Sequence, residues 1–272
     1  MLKFSVLMSV YKKEKAEYFK QSLDSVLSQT LQPSEIVIVQ DGQLTDELDA
    51  LICDYTQKYD KFIRIIPFSK NRGMGPALRD GVIACQYDYI ARMDTDDIAC
   101  VNRFEQQIEY LQQHPEIDIL GSWITEFSKN QQYPDTLTKL PCNNEEILKF
   151  AKKRNPFRHM TVIVRKKAVL DSGNYRDFLW FEDYDLWVRM LSRGCKGANL
   201  PLCLVNVRAT NAMFNRRGGW QYLKQDLKFQ KFLLDMEFIT IKEFSINVTI
   251  RTIVRIIPNA LRILIYKKLL RN

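Results

Sequence analysis

The chain has 272 residues, of which 46% are hydrophobic and 26% charged, with a formal net charge of +8. This is the composition of a folded globular protein and excludes extended disorder. No run approaches the roughly eighteen consecutive apolar residues of a spanning helix, six cysteines without close pairing suit a reducing compartment rather than a disulfide framework or zinc site, and the basic excess suits an anionic partner such as nucleic acid, lipid headgroups or a sugar nucleotide.

Phe4 to Val10 is an apolar, β-rich run that passes into Lys12-Lys13-Glu14 without a cleavage-like segment, so it reads as a strand and not as a signal peptide. Glu14 to Thr30 carries Phe19, Leu23, Val26 and Leu27 at helical spacing, and Glu35 to Val39 is a short buried strand. A helix over Thr45 to Tyr59, a strand over Phe62 to Ile66, a helix after Asn71-Arg72-Gly73 and a strand over Tyr89 to Met93 follow. Beyond Arg103 come a helix to about Gln113, a strand from Ile117 to Trp123 and polar turns between Lys129 and Asp135.

Strands alternating with helices predict an α/β fold with a mainly parallel sheet, in which ligands gather beyond the carboxyl ends of the strands. Ser9 and Tyr11 end the first strand, Asp41 follows the second, Asn71 and Arg72 the third, and Asp94, Asp96 and Asp97 the fourth, so all are expected on one rim. Three carboxylates within Asp94-Thr95-Asp96-Asp97 repel one another. The group is either a solvated acidic loop or a site for Mg²⁺ or Mn²⁺, hard ions that bind through a few carboxylates together with phosphate oxygens.

Glu182-Asp183 lies among Trp180, Phe181, Tyr184 and Trp187, an apolar setting that raises the proton affinity of a carboxylate, as a general base requires. The same acids also suit the first turn of a helix, near the positive end of its dipole. His159, just before an apolar run, reads either as structural or as part of a site, and Arg216-Arg217-Gly218-Gly219-Trp220 as either an exposed turn or a loop that closes on phosphates.

In order and spacing, Ser5 to Tyr11, Ser25 to Thr30, Glu35 to Gly42, Asn71-Arg72-Gly73, Tyr89 to Asp97, Asn102-Arg103-Phe104 and Phe181 to Trp187 resemble the inverting family 2 glycosyltransferases, including those of bacterial capsule, exopolysaccharide and lipopolysaccharide synthesis. The resemblance implies a GT-A fold, a Rossmann-like sheet flanked by helices. By it, residues 1–101 would be the nucleotide-sugar-binding half, 102–225 the acceptor-binding half of the same domain, and 226–272 a basic helical segment. It implies transfer of a hexose from a nucleoside-diphosphate sugar, UDP-linked, to a glycan acceptor carried on lipid, with Mn²⁺ or Mg²⁺ as cofactor.

By the same resemblance Asp183 is the catalytic base, with Glu182 positioning the loop or acceptor. Ser9 and Tyr11 line the base pocket, Asp41 bonds the nucleotide base, and Asn71 and Arg72 border the nucleotide. Asp94 contacts ribose or metal, Asp96 ligates the metal, Asp97 supports the loop, and His159 lies near the diphosphate or the active-site floor; from the residues of its own loop, Arg217 is expected to reach the diphosphate. Gln40-Asp41-Gly42-Gln43 keeps only the second of the two consecutive acids found in many relatives. A nucleotidyltransferase is the rival enzyme class, disfavoured by the lack of a glycine-rich phosphate loop near the N-terminus; a non-catalytic sugar-nucleotide or membrane-binding module is the other alternative.

From Ser245 onward there is no acidic residue, while Arg251, Arg255, Arg262, Lys267, Lys268 and Arg271 interleave with aliphatics. On a helix, Ile250, Ile253, Val254 and Ile257 form one stripe with Arg251 and Arg255 on another face, and Pro258 breaks the segment in two. The pattern fits either interfacial helices on an anionic membrane, with the protein cytoplasmic and peripheral on the inner face, or a helix pair packed on the domain. Without aromatic stacking platforms, nucleic acid is not an expected partner.

Overall fold

The computed structural model describes residues 2–209 and 219–256. Strand β1 (Phe4–Val10) turns Val6, Met8 and Val10 to one face of the sheet and Leu7 to the other, the two-residue alternation of a strand covered on both sides. It pairs in parallel with β2 (Glu35–Gln40) and β4 (Tyr89–Arg92), and β2 pairs in parallel with β3 (Ile63–Pro67). Between them run α1 (Ala16–Leu27), α2 (Asp46–Lys58) and α3 (Met74–Ala84). Thr45 caps α2 by accepting from the Leu48 amide, and Asp46, Glu47 and Asp49 lie in its first turn, where the helix dipole favours acids.

The second half continues the same sheet. After β5 (Ile98–Ala99) and α4 (Arg103–Gln113) come β6 (Ile117–Phe127), β7 (Thr136–Thr138), α5 (Asn144–Ala151), a single 3₁₀ turn at His159–Thr161, β8 (Ile163–Arg165), α6 (Lys166–Asp171), α7 (Glu182–Ser192) and β9 (Lys196–Arg208). The strand order is β3-β2-β1-β4-β8-β6-β9-β5, with β7 paired to β6. The mainly parallel sheet expected from the sequence is present, with β8 running antiparallel between β4 and β6, and the short β5 and β7 antiparallel to β9 and β6. Its pairing of Ala91 with Ile163 sets the 3₁₀ turn beside the end of β4, where the Arg92 amide donates to the Val162 carbonyl.

Two apolar layers cover the sheet. One joins Phe4, Val6 and Met8 to Phe19 and Leu23 of α1, Leu48 of α2 and Phe104 and Ile108 of α4. The other joins Leu7 and Val39 to Leu78 of α3 and to Leu186 and Trp187 of α7. α3 lies so close to the sheet that a Cβ on Gly81 would come within 2.5 Å of Leu7 Cδ1.

Helices α8 (Trp220–Asp235) and α9 (Ile241–Ile256) close the described fold. α8 docks on α7 through rings, with Phe229 stacked on Phe181 at 4.9 Å and Tyr222 on Trp180 at 5.0 Å. α9 packs with its polar side inward: Asn247 bonds the Lys152 carbonyl and Gln230, and Arg251 meets the fully buried Asp226 at 2.5 Å and the Lys153 carbonyl at 2.7 Å. Ile246, Ile250 and Ile253 point outward, exposed by 48%, 56% and 58%. The separation of Ile250 and Ile253 from Arg251 read from the sequence is present, but Arg251 is an internal clamp and not a lipid-facing cation. Residues from Ile257 onward, including Pro258 and the remaining basic tail, lie outside the described residues.

Removing one partner of a buried ion pair strands the other's charge, so Asp226→Ala is expected to lower the unfolding free energy by about 3 kcal/mol. Urea denaturation checks this; a loss below about 1 kcal/mol would show that the Arg251 clamp does not hold α9 in place.

Candidate active site

The rim begins where β1 and β2 end together, with Val10 opposite Gln40 and the Asp41 amide donating to the Val10 carbonyl. Asp41 then acts as a clasp between two loops. Its Oδ1 accepts from the Arg72 amide at 2.7 Å, and its Oδ2 accepts from Asn71 Nδ2 and the Gly73 amide at 2.9 Å each. Gly42 makes the clasp possible: its φ is +88°, and a Cβ would lie 2.5 Å from the Asn71 nitrogen. Arg72 stacks on Phe68 and pairs with Asp80 at 2.6 Å. Of the two β1 residues expected on this rim, Ser9 is half-buried and Tyr11 exposed.

The acidic cluster follows β4. Ser22 of α1 donates to the Asp94 carbonyl at 2.7 Å, and the Asp94 carboxylate is held by Nη1 of Arg92 in an ion pair. Asp97 is buried and accepts from the Arg208 amide at 2.9 Å, while the Arg208 guanidinium reaches the Asp96 carbonyl and Gln21 and lies on the Tyr18 ring. Thr95 donates to Glu14 at 2.7 Å.

One carboxylate oxygen from each of Asp94, Asp96 and Asp97 lies within 4.8 Å of the others. Burial, then the charges of Asp94 and Glu14, push the Asp96 carboxyl up to about 7; burial with Asp94 and Asp96 drives Asp97 well above the usual carboxylate range. Among the described residues no side chain donates to the Asp96 carboxylate. A hard divalent cation fits this donor set: it would bind oxygens that repel one another and give Asp96 a partner.

A second acidic group stands at the start of α7. Asp183 Oδ2 accepts from Asn155 Nδ2 at 2.6 Å and its Oδ1 from the Tyr184 amide at 2.7 Å, so the carboxylate is held at both oxygens. Burial raises its proton affinity, opposed by these two bonds and by the charge of Arg92. Burial and then Asp183 lift Glu182 to about 7. Both acids lie in the first turn of α7, as the helical reading of the sequence expects, and burial raises the proton affinity of each.

His159 joins a ring cluster, its Nε2 2.9 Å from the Tyr175 hydroxyl and its ring against Trp187. Burial, helped by Arg92, holds its proton affinity well below normal, so the imidazole is neutral. Arg217 lies outside the described residues.

Sequence reasoning passed over Arg92, Asn155, Tyr175 and Arg208. Arg92 had a visible signal, since a charged residue within the apolar run Tyr89 to Met93 demands a partner. Its side chain is buried at the end of β4, and its positive charge acts on Asp96, Asp97, Glu182 and Asp183 alike. Arg103, also buried, donates to the Arg92 carbonyl at 2.8 Å; burial and the nearby Arg92 lower it to about 9, and it stays charged at neutral pH.

Glu182 gives a pH test. Its folded pKa of about 7 lies above the ordinary 4.5, so the native state holds a proton that the unfolded chain has released between these values, and wild-type stability falls as pH rises through that window. Glu182→Gln mimics the protonated form. In metal-free protein its stability relative to wild type is expected to grow between about pH 4.5 and 7 and then level off; a difference that is flat with pH in chemical denaturation would contradict the assigned environment.

A family model described as "Glycosyl transferase family 2" matches residues 5–173. The amylovoran biosynthesis glycosyltransferase AmsE of Erwinia amylovora is 39% identical over 97% of this chain and 98% of its own length. A UDP-Gal:alpha-D-GlcNAc-diphosphoundecaprenol beta-1,3-galactosyltransferase of Escherichia coli is 35% identical over 99% of this chain and 97% of its own. The mannosyltransferase PcManGT of Pyrobaculum calidifontis, solved with GDP-Man and Mn²⁺, superposes with a TM-score of 0.65 at 11% identity, covering 96% of this chain and 71% of that one. With the sheet, its acidic rim and these full-length matches together, the chain belongs to glycosyl transferase family 2 and is a glycosyltransferase of GT-A-like fold.

Proposed function

We propose that this enzyme transfers a hexose from a UDP-sugar to a hydroxyl of a lipid-linked glycan in surface polysaccharide synthesis, with inversion, using Asp183 as base and Asp96 as the principal ligand of Mn²⁺ or Mg²⁺. The observation that carries the reading is the pairing of two chemically distinct acidic groups around one buried arginine: a cluster of hard oxygen donors after β4 and a buried, doubly held carboxylate on α7. The printed names of the two relatives, one in amylovoran biosynthesis and one acting on a diphosphoundecaprenol-linked sugar, support the substrate class.

In this mechanism residues 1–101 hold the donor and 102–225 the acceptor. Ser9 and Tyr11 line the base pocket, and the loop clasped by Asp41, Asn71 and Arg72 forms its wall, with Asp41 still offering a lone pair toward the base. The Asp183 carboxylate takes the acceptor hydroxyl proton as the acceptor oxygen bonds to the anomeric carbon. The bond from that carbon to the phosphate oxygen breaks, and the nucleoside diphosphate leaves with the electron pair. Asp94 and Asp96 would hold the cation, which neutralises the charge developing on the leaving diphosphate. Asp97, tied to Arg208, keeps the loop in shape, Glu182 faces the acceptor, and neutral His159 packs the floor without adding a charge. Arg217, in the segment between β9 and α8, supplies a guanidinium for the diphosphate.

The outward face of α9 supports a membrane-binding role. Its exposed Ile246, Ile250 and Ile253 enter the lipid interface, and the basic residues Arg262, Lys267, Lys268 and Arg271 further along the chain meet anionic headgroups at the inner face of the cell membrane, where a lipid-linked acceptor resides. Among the described residues no helix is long and apolar enough to cross a membrane.

Asp183→Asn is expected to lower kcat by about 10²- to 10⁴-fold while leaving UDP affinity nearly unchanged, and Asp96→Ala to abolish the Mn²⁺-dependent part of UDP binding. Steady-state kinetics and calorimetry check both; ordinary turnover by either variant would remove that residue from its role. Replacing Ile246, Ile250 and Ile253 together by serine is expected to reduce sedimentation with phosphatidylglycerol liposomes at least about tenfold, from roughly 1.5–3 kcal/mol lost per buried aliphatic side chain. Equal liposome binding by the triple variant would refute the membrane face.

A further inference from the structure

Arg92 is an expensive way to fill the end of a strand. Arg92 is 2% exposed, yet its guanidinium meets only an ion pair with Asp94 at Nη1 and the Met74 sulfur, 3.3 Å from Nη2, and among the described residues neither Nε nor Nη1 makes a hydrogen bond. Burying a guanidinium with a thioether and an unpaired N–H costs free energy that an apolar side chain of similar size would not. The fold positions it tightly all the same. Arg103 grips its carbonyl at 2.8 Å, its amide is fixed to Val162, and its strand pairs with β1 and β8. A costly residue held this firmly marks a site where stability is given up for function.

What the arrangement achieves is visible at Asp94. The other two carboxylates of the cluster are set differently: Asp97 is tied to the Arg208 amide, and among the described residues no side chain donates to the Asp96 carboxylate. Asp94 has one side-chain restraint, the guanidinium beneath it. We propose that Arg92 is the positioning residue of the cation site, holding one oxygen of Asp94 from below so that the carboxylate keeps a single orientation toward the ion and the nucleotide.

This rests on the cation-site reading given above, and it makes a prediction opposite to that of charge alone. If Arg92 acted only as a nearby positive charge, removing it would tighten cation binding. As a positioning residue, its loss loosens Asp94 and weakens cation binding, by about 10- to 100-fold for an outer-shell partner of a metal ligand. Lysine at this position keeps the charge without the planar fork and is expected to fall short as well.

The experiment titrates MnCl₂ into wild type, Arg92→Met and Arg92→Lys by calorimetry in the presence of UDP, with thermal unfolding of each metal-free protein alongside. The expected result is Mn²⁺ binding weaker by at least about tenfold in both variants, with a cooperative thermal transition showing that each variant is folded. Unchanged or tighter Mn²⁺ binding by a folded variant overturns the role of Arg92 while leaving the cation site standing; if Arg92→Met does not fold, Arg92→Lys alone decides. If wild type itself shows no Mn²⁺ binding with UDP, the cation-site reading fails and the role of Arg92 falls with it.

Discussion

A surplus of negative charge at the carboxyl end of β4 sets the terms for the rest of this edge of the molecule. Three carboxylates converge within 4.8 Å, two of them with proton affinities raised by burial and mutual repulsion, and a fourth and fifth, Glu182 and Asp183, stand at the start of α7. The compensating charge comes from within the core, from Arg92 beneath Asp94 and Arg103 behind it. Such a concentration of like charge is unfavourable for the protein alone, and a bound cation would relieve it. The site is therefore poised toward ligands at a cost in intrinsic stability.

Topology explains how residues so distant in sequence meet. The parallel strands β1, β2 and β3 bring the donor-side loops to one rim, where Asp41 stitches the loop after β2 to the loop after β3. The antiparallel β8 does the complementary task. Because it enters beside the end of β4, the segment preceding it, with Asn155 and His159, lies on the same rim, and Asn155 reaches across to orient Asp183. One reversed strand thus joins the second half of the chain to the first at the point where the chemistry is proposed.

Much of this was legible in the sequence, and what was legible was local. Helix α2 starts at its Thr45 cap, α4 spans Arg103 to Gln113 as its periodicity indicates, and Asp41, Asn71 and Arg72 come together because loops after parallel strands share an edge. The carboxylate cluster after β4 and the acid pair on α7 are evident from residue type and placement. What escaped notice depends on long-range pairing. The short apolar stretch before Arg165 gives no sign of its direction or of its insertion between β4 and β6. Arg92 sits unassigned inside its strand, because nothing local shows that its side chain is buried against Asp94. In α9 the periodicity correctly separated an isoleucine stripe from Arg251, but periodicity does not say which face turns inward; the buried Asp226 on α8 decides that Arg251 does.

The central claim is a single displacement in which the proposed base Asp183 and the departing diphosphate act on opposite sides of the sugar. The anomeric configuration of the product tests it most directly: transfer from an α-configured UDP-sugar, followed by proton NMR of the newly linked sugar. The account predicts a β-linked product with the large anomeric coupling of a trans-diaxial pair for a glucose- or galactose-configured donor. An α-linked product would contradict it, because a single displacement inverts the anomeric centre.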